Sequence, residues 1–385
     1  MELLDYRDRF PILGETTYLI NHSLGAMPAA AEGRVAEYAQ MWKERGIRAW
    51  AEGWWEMPIT VGDQVGRIVG APPGSTVMHQ NVAIAEAIVL SCFRPVDPQR
   101  NRVVYEEGNF PSVRYLFQAQ PDLEVVVVPD DGAIVDAIDE RTLLVPVTHV
   151  LFKTAEIQDV EAIVRRAHDA GAHVVLDAYQ SAGIVPLDVT ALNVDFAVGG
   201  SVKWLCGGPG NGWLYVRPDL AEVLEPTFIG WQAHARPFAF EDAMEFTTGP
   251  FRWLNGTPVI PALYAASEGP KILRRVGIDA IRAKSVRQTS RLIELADARG
   301  YNVSAPRDPA RRGGTVAVDV PHGYEVAQHL LSRNILVDYR VGAGIRIAPH
   351  FFTRDEEVDG AISEIDAALE SGSWQRFSEK VAVVT

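Results

Sequence analysis

Short apolar runs, set apart by polar and glycine-rich turns, recur through the first two thirds of the chain. Arg102-Val103-Val104-Tyr105, Leu144-Val145-Pro146-Val147-Thr148-His149, His173-Val174-Val175-Leu176 and Phe196-Ala197-Val198 are the clearest. They are too short for helices and carry no polar alternation, so they read as strands buried on both faces of a mostly parallel sheet. Apolar residues at 160, 163, 164 and 167 follow the i, i+3, i+4, i+7 spacing of an amphipathic helix over residues 160–170. Strand, helix and strand in succession predict a βαβ unit with a parallel pair. From about residue 275 the pattern changes. Amphipathic helices alternate there with strand-like runs at 314–318, 335–337 and 345–347. The expected architecture is α/β. A segment 1–30, with a strand-like Thr17-Tyr18-Leu19-Ile20, packs on the smaller part. A large domain spans 31–270 and a smaller α+β domain spans 271–385.

Polar residues at the ends of the central runs carry the candidate chemistry. Asp177 closes the 174–177 strand, and Lys203 follows the 196–198 strand after Gly199-Gly200-Ser201-Val202. Ends of neighbouring parallel strands converge on the crevice where open α/β sheets bind ligands. A lysine there can hold the aldehyde of pyridoxal phosphate (PLP) as a Schiff base, and a carboxylate can pair with the pyridinium nitrogen. The plainer alternative is a turn-capping Asp177 and a solvated Lys203. Against it, Lys203 is surrounded by Gly199, Gly200, Gly207, Gly208, Gly210 and Gly212, which permit close backbone approach.

Composition narrows the partners. The chain has 385 residues, 47% hydrophobic and 22% charged, enough for one large and one small domain. A net charge of -14 disfavours nucleic acid and anionic membrane as partners. No apolar run is long enough to span a bilayer, and the charged MELLDYRDRF start does not read as a secretory signal. Two cysteines, Cys92 and Cys206, form neither a disulfide framework nor a metal cluster, so the expected compartment is the cytoplasm.

Other positions admit two readings each. His22-Ser23 fits a helix-capping turn. Trp42, Trp50, Trp54 and Trp55 fit packing, or, beside Arg48, an aromatic substrate wall. Asn81-Val82-Ala83 opens a helix and offers backbone N–H groups to a phosphate. Phe110 fits core burial or stacking on a ring. Gly256-Thr257-Pro258 fits a turn. Arg346, inside the apolar Ile345-Arg346-Ile347, needs a partner, either a structural acid or a substrate carboxylate held by two parallel hydrogen bonds.

Several of these phrases together resemble class V of the PLP-dependent aminotransferase superfamily, and within it the kynureninases. The matching stretches are Asp177 with Ser181-Ala182-Gly183, the DFAVGG run, Lys203, Gly207-Gly208-Pro209-Gly210, Asn21-His22-Ser23-Leu24-Gly25, Gly46-Ile47-Arg48-Ala49-Trp50, Asn109-Phe110-Pro111-Ser112, Gly230-Trp231, Arg236 to Glu241, Gly256-Thr257-Pro258, and Asp338-Tyr339-Arg340 with Arg346. The resemblance runs from Asn21 to about Leu369. It implies a fold type I enzyme with Lys203 and Asp177 as catalytic residues. It implies cofactor contacts from Asn81, Val82, Phe110, Gln180, Ser201, Trp231 and Thr257, and substrate contacts from His22, Ser23 and Arg346. Thr257 would reach the neighbouring subunit's phosphate, so a homodimer is implied. The implied reaction is a kynureninase-like hydrolysis or lysis of an amino acid through an α-carbanion. Other class V reactions, and a catalytically silent binding protein, are the alternatives. The chain departs from the family at Val82 and Ala83 (hydroxyl residues there), at Val113 (Asp), at Val202 (a phosphate-binding Tyr) and at Val341-Gly342 (Glu-Pro).

Overall fold

A computed structural model describes residues 2–378. Met1 and residues 379–385, the latter within the expected C-terminal domain, lie outside the described residues.

The larger sheet has seven strands: β1 (Thr76–His79), β2 (Arg102–Glu106), β3 (Glu124–Val128), β4 (Thr142–Thr148), β5 (His173–Asp177), β6 (Phe196–Gly200) and β7 (Gly212–Val216). Their spatial order is β1-β7-β6-β5-β4-β2-β3. Strands β2 to β6 pair in parallel, while β7 runs antiparallel to both β1 and β6. Successive residues alternate between two cores. Val174 and Leu176 of β5 face one, and Val175 faces the other. That two-sided burial is why the strands read as continuous apolar runs rather than alternating ones.

Helices α1 (Ala29–Arg45), α2 (Val82–Ser91), α3 (Pro111–Gln118) and α4 (Val160–Asp169) belong to this part of the chain. Helix α4 buries Val160, Ile163, Val164 and Ala167, the residues whose spacing predicted it, and Asp159 caps its start through Ala162 N–H.

The C-terminal part builds a second, antiparallel sheet from β8 (Asn302–Val303), β9 (Val316–Asp319), β10 (Asp338–Arg340) and β11 (Gly344–Ile347), in the order β10-β11-β9-β8. Helices α5 (Ile278–Asp297), α6 (Gly323–Ser332) and α7 (Asp355–Ser371) accompany it. Leu292 of α5, Val326 of α6 and Val358 of α7 share a third core with Ile345 and Ile347. Leu19 joins that same core. Thr17 and Tyr18 pair in parallel with Ile335 and Leu336, and Arg7 forms two hydrogen bonds to the Glu357 carboxylate, at 2.6 and 2.9 Å. The N-terminal segment is thus stitched to the C-terminal part of the chain.

Candidate active site

Four neighbouring strands end on one side of the larger sheet. Glu106 closes β2, Thr148 closes β4, Asp177 closes β5, and Lys203 lies three residues beyond β6. Ligand crevices of open α/β sheets lie at such ends. A cavity of about 250 Å³ opens there, lined by Asn81, Val82, Phe110, Asp177, Gln180 and Lys203, with Ser23, Thr148, Phe152 and Tyr179 among the others.

Lys203 makes no side-chain hydrogen bond among the described residues. Its ammonium lies 4.3 Å from the Tyr179 ring centroid and 5.8 Å from that of Phe110. Burial drives its proton affinity down, and the Asp177 carboxylate only partly opposes this. Burial likewise raises the proton affinity of Asp177, which the Tyr179 N–H (2.8 Å) and Lys203 offset in part. The result is an amine primed to lose its proton and a carboxylate short of a cationic partner.

Two more acids stand within electrostatic reach of Asp177. Glu86, one turn beyond Val82 on α2, is buried with both carboxyl oxygens free of hydrogen bonds. Burial, and then the Asp177 charge, push its pKa well above the ordinary range. Burial also raises Glu106 to about 8. Burial thus favours the neutral form of both acids, and Asp177 is the one most able to carry charge.

A second ionic group is organised differently. Arg346 of β11 lies directly opposite Asp338 of β10. Its Nε donates to Asp338 Oδ1 at 2.8 Å, its Nη2 donates to Oδ2, and its Nη1 donates to the Phe152 carbonyl at 2.9 Å. His22 Nε2 meets the same Asp338 at 3.0 Å, and Arg340 adds a contact at 3.2 Å. Burial would raise Asp338, but the His22 and Arg346 hydrogen bonds hold it well below the usual carboxylate range. Burial pushes His22 down to about 4, so it is neutral at pH 7. A guanidinium has five N–H donors. Three are committed here, which leaves one on Nη1 and one on Nη2.

The remaining candidates fall into two sets. Gln180 borders the cavity, its amide nitrogen donating to the His22 carbonyl at 3.1 Å and its oxygen accepting from Trp204 at 3.3 Å. Asn81 caps α2 by accepting from Ile84 N–H at 3.1 Å, and its carbonyl accepts from Ala85 N–H. The N–H groups of Val82 and Ala83 stay available at the cavity edge. Phe110 is 42% exposed and packs edge-on against Phe152. Ser201, Trp231 and Thr257 do not border the cavity. Ser201 is fully buried; Trp231 and Thr257 are exposed, Trp231 within a cluster with Trp55, Phe238 and Phe240. Of the tryptophans near Arg48, Trp54 is buried whereas Trp42 is 63% exposed.

Sequence reasoning passed over Tyr179, Glu86 and Asp338. Asp338 was findable. Residues 338 and 346 are equidistant from the Val341-Gly342-Ala343 turn, so a hairpin register pairs them. Glu86 gives no such signal, because one acid in an apolar helix reads as its solvent face.

These residues fit PLP. An amine of lowered proton affinity suits an aldehyde, an unpaired carboxylate suits a ring cation, two aromatic faces bracket the amine, and the start of a helix suits a phosphate. A profile of the aminotransferase class-V family matches residues 63–354. Kynureninase of Pseudomonas fluorescens is 32% identical, over 98% of this chain and 95% of that one. Among solved structures, apo cysteine desulfurase of Thermococcus onnurineus NA1 superposes with a TM-score of 0.84 at 23% identity, covering 95% of this chain and 98% of the other. A C-DES variant with glycine covalently linked to its PLP cofactor also gives 0.84, at 20% identity, covering 93% and 98%. Both superpositions show the fold type I architecture. With the profile and the full-length identity in agreement, the chain belongs to the aminotransferase class-V family of PLP-dependent enzymes.

Proposed function

We propose that the protein is a kynureninase-like hydrolase or lyase that uses PLP to break a side-chain bond of an amino acid. The observation that carries this reading is the under-satisfied Lys203–Asp177 couple at the cavity; Arg346 does not line that cavity but is tied to its wall through the Phe152 carbonyl. When bound, PLP supplies an aldehyde and an electron-accepting ring. Lys203, depleted of its proton by burial, would be the residue that holds that aldehyde, and its amine, once released by the incoming substrate amine, would be the base for the α-carbon proton. The Asp177 carboxylate keeps the ring nitrogen protonated. Asp338 fixes the Arg346 plane, so its free edge meets the substrate α-carboxylate without further ordering.

The relatives named kynureninase support this reading over sulfur transfer. A desulfurase needs a thiol that readily ionises, and burial pushes both Cys92 and Cys206 up to about 12. Trp231 and Thr257, exposed and away from their own cavity, support a homodimer in which they serve the neighbouring site. The division into an N-terminal segment, a PLP-binding domain over 31–270 and a C-terminal domain belongs to the same proposal.

The test is incubation of the holoenzyme with kynurenine, cysteine and a panel of other amino acids, with products identified by mass spectrometry. Cleavage of the kynurenine side chain supports the proposal. Sulfide from cysteine, with kynurenine untouched, overturns it.

A further inference from the structure

We propose that the Tyr179 hydroxyl is a ligand of the PLP phosphate, supplying a contact that Val82, Ala83 and Val202 cannot make. This rests on the PLP reading above. Helix α2 begins at the cavity with two available N–H groups, but the side chains there are apolar. A phosphate dianion has more acceptor sites than two amides satisfy, and buried acceptors left unpaired are costly.

Tyr179 borders the same cavity. Its place relative to α2 follows from two glycines. Gly200 of β6 and Gly212 of β7 are directly opposed in an antiparallel pair. Side chains of such partners share one face, with Cβ positions about 4.5–5.5 Å apart. A Cβ on Gly200 would lie 2.5 Å from the Tyr179 hydroxyl, and a Cβ on Gly212 would lie 2.7 Å from the Asn81 backbone. The two glycines therefore form a bare strip, with the phenol over one and the first turn of α2 over the other. An anion at the helix start has the Tyr179 hydroxyl as its neighbour. Thr148, another hydroxyl on the cavity wall, stands opposite Asp177 in the β4–β5 register, and two strands separate β4 from β7 and its Gly212. Burial, and then the Asp177 charge, push the phenol up to about 12, so it stays a neutral donor at physiological pH.

The test compares Tyr179→Phe with the parent protein, after removal of cofactor, by equilibrium dialysis against PLP and against pyridoxal, which lacks the phosphate. Phenylalanine keeps the ring face over Lys203 and removes only the donor. PLP binding should weaken roughly ten- to a hundredfold, the range for a hydrogen bond to a charged group. Pyridoxal binding should not change, and inorganic phosphate should compete less well with PLP in the variant. Adding Val82→Thr to Tyr179→Phe should restore much of the PLP affinity. Equal loss for PLP and pyridoxal, or no loss for either, overturns the proposal. Those outcomes leave the PLP reading intact, which fails only if the parent protein itself does not take up PLP.

Discussion

Two buried ionic groups meet near the crevice, and they are built in opposite ways. Around Asp338 every charge is answered. Arg346 grips it through two donors, His22 adds a third contact and Arg340 a fourth. Around Asp177 the charges are left hungry. Among the described residues, the Asp177 carboxylate accepts a hydrogen bond from Tyr179 N–H, Lys203 makes no side-chain hydrogen bond and has the Asp177 charge and two aromatic rings nearby, and Glu86 has no hydrogen-bond partner. Burying an ionic group without partners is costly, so a fold retains such a group mainly where a ligand completes it. In the proposed reading, the saturated group serves as a fixed clamp and the unsaturated one as a socket.

The contrast yields graded expectations. The largest concerns the socket. Asp177→Asn removes the charge and keeps the shape, so PLP should still bind while turnover falls on the order of a thousandfold. Absorbance titration and steady-state kinetics read the two separately. Next is the free edge of the clamp. A lysine cannot reproduce two parallel hydrogen bonds. Arg346→Lys should therefore raise the apparent KM about thirtyfold to several-thousandfold, as loss of roughly 2–5 kcal/mol requires, with cofactor uptake unchanged. Normal amino-acid binding in this variant would place the substrate carboxylate elsewhere.

The clamp itself should show up as stability. Asp338→Asn leaves Arg346 buried without its counter-ion and should cost about 3–5 kcal/mol in denaturant melts of the cofactor-free protein. Asp177→Asn should cost far less, or even stabilise, because it relieves the crowding with Glu86 and Glu106. If both variants destabilise equally, the distinction between clamp and socket is wrong.

The remaining effect is one of pH and shows only in the pH dependence of stability. Glu106 titrates near 8 when folded, against an ordinary glutamate value of 4.5 when unfolded. Its neutral form thus favours folding fully below about pH 4.5, and that advantage is lost as pH rises through 8. Glu106→Gln stays neutral throughout. Relative to the parent, it should gain stability progressively between pH 4.5 and 8, by up to about 5 kcal/mol, since each pH unit of that interval corresponds to about 1.4 kcal/mol. A pH-independent difference between the two proteins would show that Glu106 is ionised when folded.

How much of this was legible in the sequence follows the same divide. The socket's main residues sit at strand ends, and strand ends are written in apolar runs, so Asp177 and Lys203 could be placed together before any coordinates. The central strands and α4 were readable for the same reason. Arg346 was conspicuous as a charge in an apolar strand. Its engagement with Asp338 depended on hairpin register, which the residues 341–343 encode only weakly. Tyr179 and Glu86 were out of reach. Their significance comes from which glycine or acid lies across the sheet, and no local spacing records that. The pairing of Thr17-Tyr18 with Ile335-Leu336 was hidden likewise, since it joins segments over 300 residues apart.

The central claim is that the unsatisfied Lys203 is the anchor for the cofactor. Borohydride reduction of the PLP-loaded protein, followed by proteolysis and mass spectrometry, tests it most directly. The account predicts one pyridoxyl-modified lysine, Lys203, and no modified peptide from Lys203→Ala. Modification of a different lysine, or an adduct that persists in Lys203→Ala, would contradict it.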